Sequence, residues 1–402
     1  MKKTNLKPAW LPFTSAITLF LMLILSSCQK TYEKSPGSNN GDILHSGKGK
    51  DIKAVNQFNQ VNLVANNSEY GAIHIDPTLL NAWGLTFTPN GIAWVNSQSG
   101  HVSEVYSAEG VTLRPPVNIP SPTGPTGGSP TGVVFNPSNT IFKLSNGSSA
   151  RFLFVGDDGI LSGWNPAAGN SALLIQNNST TSSYTGLTMG VIGTDTLLYA
   201  ANLKTKKIDA FNGSFGSVAL PFHDPFIPSN FAPFNVQNIG GMLYVTYAKL
   251  GPDGEDMAGP GNGFVDVYQT NGSFVRRLVT HGHLNSPWGI TMAPNGFITK
   301  ADVEDDNDKD DHHDGDHDKG KGFSENVILI GNLGDGRINA YTDRGKFLGA
   351  LRSNGKPLVI EGLWALMFPP ATATSVDPNR LYFTAGPSDE TDGLFGYIVK
   401  AL

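Results

Sequence analysis

A single unit, repeated six times, decides what this 402-residue chain can become. Each unit opens on a small apolar strand, often marked by Trp-Gly or Thr-Gly. The openings are Trp83-Gly84, Thr131-Gly132, Thr185-Gly186, Asn235-Val236, Trp288-Gly289 and Trp364-Ala365. Their second residues are 48, 54, 50, 53 and 76 positions apart. The long gap holds an acidic stretch, 302–322; without its 21 residues the gap is 55. A second strand follows each opening, at 91–96, 152–157, 197–202, 242–247, 327–332 and 380–385. A third ends near an aromatic: Tyr106, Trp164, Phe211, Tyr268, Tyr341 or Tyr397. Asn-Gly pairs at 90–91, 212–213, 271–272 and 295–296 punctuate the pattern, as hairpin turns require. No long stretch keeps a helical period of 3.6.

Units of about 50 residues with three or four strands each specify a β-propeller. Six units predict an all-β, six-bladed β-propeller rather than a seven-bladed one. The sixth unit runs out after three strands, which would leave a sheet edge bare. The segment 58–65 (FNQVNLVA) alternates like a strand. It is therefore predicted to pair with 393–400 and close the ring. The recurrent aromatics read as packing between blades.

Composition narrows the class further. The net charge of −6 gives no basic footprint for nucleic acid. The one cysteine excludes an intrachain disulfide and any cysteine-rich zinc site. That cysteine, Cys28, follows a short leader. Lys2, Lys3 and Lys7 precede the apolar run 17–25 (ITLFLMLIL), which is too short to span a bilayer. Leu25-Ser26-Ser27-Cys28 resembles a bacterial lipobox. The resemblance implies cleavage of residues 1–27 and lipid on Cys28, hence attachment to a bacterial membrane at the cell envelope. Residues 28–55 are Ser-, Gly-, Asn- and Lys-rich and are expected to be a flexible tether ahead of a propeller over 56–402.

Longer blocks carry a second resemblance. Pro287-Trp288-Gly289, Pro89-Asn90-Gly91 and the apolar strands after them resemble NHL-type propellers. Asn62-Leu63-Val64, the blocks 81–85, 331–341, 362–366 and 381–387, and Gly393-Leu394-Phe395-Gly396 are similar to an uncharacterised family of secreted bacterial propellers. Some of its members carry a C-terminal PEP-CTERM sorting tail. This chain ends Val399-Lys400-Ala401-Leu402 instead. The resemblance covers roughly 60–400 and implies the fold and export, with no activity to carry over.

Up-and-down strands fix which loops share a face. Loops after the second strands (96–101, 157–159, 202–206, 247–263, 332–336 and 386–392) join the entries to the first strands. That face also holds Asn81, Asn235 and Asn285, with Trp83, Trp288 and Trp364 around the channel mouth. Loop-lined concave faces on rigid scaffolds usually carry function. The candidate ligand-binding residues are Asn81, Trp83, Asn96, Asp157, Asn202, Asn285, Trp288, Asn332, Asp335 and Trp364. Asn96, Asp157, Asn202 and Asn332 end their second strands. Such side chains commonly close turns by bonding their own backbone. The sharper reading is a ring of oxygen ligands for Ca²⁺, with Asp157, Asn202 and Asn332 as ligands. The three tryptophans either stack a sugar or an apolar group, or plug the channel. The Gly-rich loop 247–263, with Asp253, Glu255 and Asp256, is a candidate lid.

The stretch 302–322 holds ten acidic residues and three lysines, with His312, His313 and His317. Its composition cannot build a core, so solvated charge is the plain expectation. The alternative is loose metal binding through those histidines, or through Asp308, Asp310, Asp314 and Asp316. The EF-hand order is absent. The insert falls between the first and second strands of its unit, on the face opposite the mouth. G-x-S-x-G, H-E-x-x-H and phosphate-loop signatures are also absent.

Two functions fit. The first is a lipid-anchored, monomeric binding or scaffold module for a protein or glycan. The second is a metal-dependent hydrolase, as in lactonase-like propellers, with Ca²⁺ or another divalent ion in the channel. Carboxylates converging on the axis would favour the second, and a tryptophan-plugged channel would count against it.

Overall fold

The computed structural model describes residues 54–55, 57–299, 302–303 and 326–401. Its strands form six antiparallel sheets set around one axis. The inner strands are Ala82–Phe87, Pro130–Phe135, Tyr184–Ile192, Phe231–Ile239, Pro287–Met292 and Leu363–Met367, one for each of blades 1 to 6. The protein is a six-bladed β-propeller. Blade 6 takes its outer strand from the other end of the sequence. Phe58–Ala65 pairs antiparallel with Leu394–Lys400, from Phe58 opposite Lys400 to Ala65 opposite Leu394. The ring thus closes as expected, and the sheet edge is covered. Phe58, Leu63, Val64 and Ala65 are fully buried by this closure. Ala54–Val55, grouped above with the tether, pairs parallel with Phe347–Ser353, the outer strand of blade 5.

The repeated dipeptide has a structural cause. In every blade the pairing of inner and second strand slips at the opening. The slips fall between Ala82 and Leu85, Pro130 and Val133, Tyr184 and Gly186, Pro233 and Asn235, Pro287 and Ile290, and Leu363 and Leu366. A bulge bends its strand and re-aims a side chain. The residue after each bulged position lies against the next blade, where the converging inner strands come closest. A Cβ on Gly84 would stand 2.1 Å from the carbonyl oxygen of Thr131. One on Gly289 would stand 2.6 Å from that of Trp364. Only glycine admits that approach.

Blade 4 corrects the sequence reading by one residue. Its opening is Phe234-Asn235, not Asn235-Val236. Asn235 occupies the glycine's place and bonds across the gap, its Nδ2 donating to the Trp288 carbonyl at 2.9 Å. Blade 6 closes onto blade 1 in a related way, through Thr384 Oγ1 donating to the Trp83 carbonyl.

The third-strand aromatics Tyr106, Phe211, Tyr268 and Tyr341 are almost wholly buried. Tyr106 lies parallel to Phe395 of blade 6, 5.7 Å between ring centres. Signal peptide, Cys28, most of the tether and residues 304–325, with His312, His313 and His317, lie outside the described residues. Asp302 departs from the expectation of solvated charge. It is 9% exposed and accepts hydrogen bonds from Thr299 and from Lys400 Nζ at 2.6 Å.

Candidate functional site

The bulged residues of blades 1, 4, 5 and 6 meet on the axis. Trp83 stacks on Trp364 with ring centres 3.6 Å apart and planes 18° from parallel. Trp288 meets Trp364 edge-on at 5.9 Å, and Phe234 lies 5.8 Å from it. All four side chains are buried, Trp364 completely, within one cluster that includes Leu203, Leu333 and Ala232. The channel is therefore sealed by aromatic packing. Trp83, Trp288 and Trp364 are the plug, and none offers a free ring face for a sugar.

A polar layer rests on this plug at the predicted face. Trp364 Nε1 donates to Asn81 Oδ1 at 2.8 Å. Asn81 Nδ2 donates to Glu390 Oε2 at 3.0 Å and to Gln98 Oε1 at 3.2 Å. Gln98 Nε2 in turn donates to Asp157 Oδ2 at 2.7 Å. Three blades are thereby joined by one chain of side-chain bonds: blade 6 through Trp364 and Glu390, blade 1 through Asn81 and Gln98, and blade 2 through Asp157. Two pieces of backbone set this up. Asn81 has φ +46°, a left-handed conformation that Asn tolerates. Ser388, Asp389 and Glu390 have φ of 57°, 53° and 64°. Three consecutive non-glycine residues in this region are rare and costly. The turn they form is held by Glu390 N–H donating to the Gly386 carbonyl and Thr391 N–H to that of Ser388.

Asp157 keeps a partly exposed edge but is otherwise enclosed by protein. Burial pushes its carboxyl up to about 7. The Gln98 bond pulls the other way, while the negative charges of Asp158, Glu255 and Glu390 add to the rise. The mouth thus brings one carboxyl, raised to about 7, within electrostatic reach of three further carboxylates, Asp158, Glu255 and Glu390. Glu255 arrives on the loop after the second strand of blade 4. That loop, the candidate lid, is pinned: Gly259 N–H donates to Asn285 Oδ1 at 2.6 Å and Asn262 Nδ2 to the Met257 carbonyl at 3.1 Å.

The remaining site candidates bond locally, within their own blade or, for Asn96, to the next one. Asn96 Nδ2 donates to the Thr131 carbonyl. Asn202 Oδ1 accepts from the backbone of Ser183 and Thr205, and its Nδ2 donates to Asp209. Asn332 Oδ1 accepts from the Asn285 backbone, and its Nδ2 donates to the His283 carbonyl and to Asp335 Oδ1. Asp335 also caps Arg337 N–H. Asn202, Asn332 and Asp335 thus close turns, the plainer of the two expectations. No group of three or more His, Cys, Asp or Glu side chains among the described residues is placed to hold a metal ion. Sequence reasoning named the loops of Gln98 and Glu390 without singling out either residue. Gln98 follows a strand-ending Asn-Ser on the mouth face, a position worth inspecting in any blade. Glu390 carries no sequence signal, because its left-handed turn depends on the sheet beneath.

No helix among the described residues is long and apolar enough to cross a membrane. No known family model matches the chain. It is 31% identical over 354 residues to uncharacterized protein L690 of Acanthamoeba polyphaga mimivirus, covering 85% of this chain and 86% of that protein. It is 30% identical over 353 residues to uncharacterized protein R648 of the same virus, covering 85% and 80%. Among solved structures, the α-L-arabinofuranosidase of Fusarium graminearum, in complex with arabinobiose, superposes with a TM-score of 0.50. The identity is 11%, over 86% of this chain and 98% of that one. Virginiamycin B lyase from Staphylococcus aureus gives a TM-score of 0.44 at 12% identity, over 85% and 99%. At such identities the likeness is one of fold.

Proposed function

The chain belongs to the family of the mimivirus proteins L690 and R648, and on that footing we propose that it is a binding module whose ligand surface is the polar layer over the tryptophan plug. The observation that carries this reading is the bonded series Trp364–Asn81–Gln98–Asp157. It holds amide and carboxyl groups at fixed positions on a floor that no ligand can pass. Fixed planar donors and acceptors suit the hydroxyls of a glycan or the backbone of a protein loop. The lipobox-like Leu25-Ser26-Ser27-Cys28 supports presentation of this face from a bacterial membrane by an acylated, monomeric protein. Probing a glycan array with the full chain tests the glycan form of the reading. Binding that is lost in Gln98→Ala, with the melting temperature preserved, would establish it. Binding indifferent to Gln98→Ala and Asp157→Asn would exclude the mouth. Fatty-acid labelling tests the anchor, which Cys28→Ser should abolish.

One observation favours a hydrolytic alternative. A carboxyl raised to about 7 by burial, with three further negative charges in electrostatic reach, suits a general acid or base. The sealed channel speaks against the form of this reading that needs a metal on the axis. Turnover of nitrophenyl esters or lactones that falls in Asp157→Asn, unaffected by chelator, would bring the enzyme reading forward.

A further inference from the structure

Where the closing strand hands over to blade 1, a hydroxyl sits between two carboxyl groups. Thr78 Oγ1 lies 2.6 Å from Asp76 Oδ1 and 2.7 Å from Glu104 Oε1. Both are hydrogen-bond distances, and a hydroxyl has one hydrogen to give. With both carboxyls ionised, one of the two contacts would set oxygen against oxygen with no hydrogen between them. One carboxyl therefore holds a proton and donates it to Thr78 Oγ1, while Thr78 donates to the other.

The remaining partners decide which. Asp76 Oδ1 also accepts from Thr78 N–H at 3.1 Å, and its Oδ2 accepts from the Tyr106 hydroxyl at 2.8 Å. Such donors favour a carboxylate. Glu104 is fully buried, and its Oε2 has no hydrogen-bond partner among the described residues. A charge so placed is costly. Glu104 is thus the acid. Burial raises it to about 7, with the Thr78 bond pulling down and the Asp76 charge adding to the rise. Neither Ala93–Ser97 beside it nor Phe58–Ala65 across the seam holds a titratable residue. In Leu394–Lys400, Tyr397 packs on Tyr382 and Lys400 bonds Asp302. His74 faces Gly110, in the turn beyond the Glu104 strand.

The two carboxyls belong to different elements. Glu104 is on Val102–Tyr106, the third strand of blade 1. Asp76 and Thr78 are on the connection from Phe58–Ala65 into that blade. Ile73 and Ile75 of this connection are 62% and 50% exposed, so its grip on blade 1 is chiefly polar. We propose that the proton between Glu104 and Thr78 is a latch: while it is held the connection 73–81 stays closed on blade 1, and its loss sets the connection free. Two negative charges then face each other across one hydroxyl, one of them buried and short of donors. The connection ends at Asn81, so the latch reaches the residue that joins the plug to the polar layer. The latch itself stands whether or not the mouth binds a ligand.

The test is hydrogen–deuterium exchange of the full chain at pH 5 and pH 8, corrected for the intrinsic rates, with peptides from blade 3 as reference. Amides in 73–81 should lose about tenfold in protection at pH 8 relative to that reference, the shift expected one unit above a value of about 7. Glu104→Gln, whose amide donates to Thr78 Oγ1 at any pH, should stay protected at both. Thr78→Val, at an exposed position, should exchange fast at both. Equal protection of 73–81 in the unmodified chain at the two pH values would overturn the proposal. So would a pH response that survives Glu104→Gln. Protection at pH 8 restored by added Ca²⁺ would overturn it too, by putting a cation where the latch needs a proton.

Discussion

Trp364 and Asn81, 283 positions apart in sequence, share a 2.8 Å hydrogen bond at the centre of the ring. The bond couples the plug to the polar layer above it. Trp364→Phe keeps the ring stack but removes the donor. Asn81 Oδ1 is then buried without a partner, which costs about 1–3 kcal/mol. A lowered denaturation midpoint with an unchanged slope on denaturant is expected. An unchanged midpoint would mean that Asn81 does not depend on the indole.

Gly84→Ala tests the account of the repeated dipeptide. Its Cβ would collide with the Thr131 carbonyl, which belongs to the next blade's backbone and cannot rotate away. Overpacking of this kind costs about 1–3 kcal/mol. Gly193→Ala is a poor control, since its φ of +59° strains any side chain. Gly124→Ala is better. There the nearest atoms beyond the chain neighbours lie 3.8 Å away, and little change is expected.

Three buried carboxyls make stability depend on pH. Burial raises Glu104, Asp157 and Asp266 each to about 7. In the unfolded chain these groups lose their protons near pH 4. Between about 4 and about 7 the folded state therefore holds protons that the unfolded state has released. Stability falls as pH rises through that window and levels off above it. The melting temperature should be higher at pH 5 than at pH 8, by roughly 1–2 °C for each kcal/mol lost. Asp157→Asn should flatten the dependence, because the amide needs no proton. A melting temperature that rises steadily from pH 4 to 8 would contradict the assignment.

Blade 4 holds a strap of charge. Arg277 donates to both Asp224 and Asp266, whose carboxyls are 1% and 0% exposed. Asp224 comes from the connection out of blade 3, so one guanidinium ties that connection to two strands of blade 4. Arg277→Met strands two buried carboxyls beside each other, a loss of about 3–5 kcal/mol. The deficit should shrink at pH 5, where the Asp266 carboxyl, raised to about 7 by burial, holds its proton. Melting curves of the variant at pH 5 and pH 8 check this.

The fold was legible because its repeat is a physical necessity. Trp83-Gly84, Trp288-Gly289 and Thr131-Gly132 record a bulge and a close approach that each blade needs. The closing strand was legible from an unpaired edge and one alternating segment. The reading slipped where the chain uses a substitute. Phe234-Asn235 replaces Trp-Gly with a side-chain bond, and spacing alone placed it one residue late. Asp302 looked like part of a solvated run, yet it is clamped by Lys400, a partner 98 positions away. At the mouth, Asp157 was visible as a strand end. Its link to Gln98 and Glu390 was not, because it depends on three blades meeting and on a left-handed turn.

Ring closure also sets an order of events. Asn66 and Gly393, joined at the seam, are 327 positions apart. On a ribosome making about 5–20 residues each second, the first of the pair waits roughly 15–65 s for the second. Throughout that wait Phe58–Ala65 lacks Leu394–Lys400, the strand it pairs with, and five finished sheets cannot lock the sixth. A nascent chain of this design stays sticky until its final strand appears, so its synthesis rewards a holding factor or delayed folding.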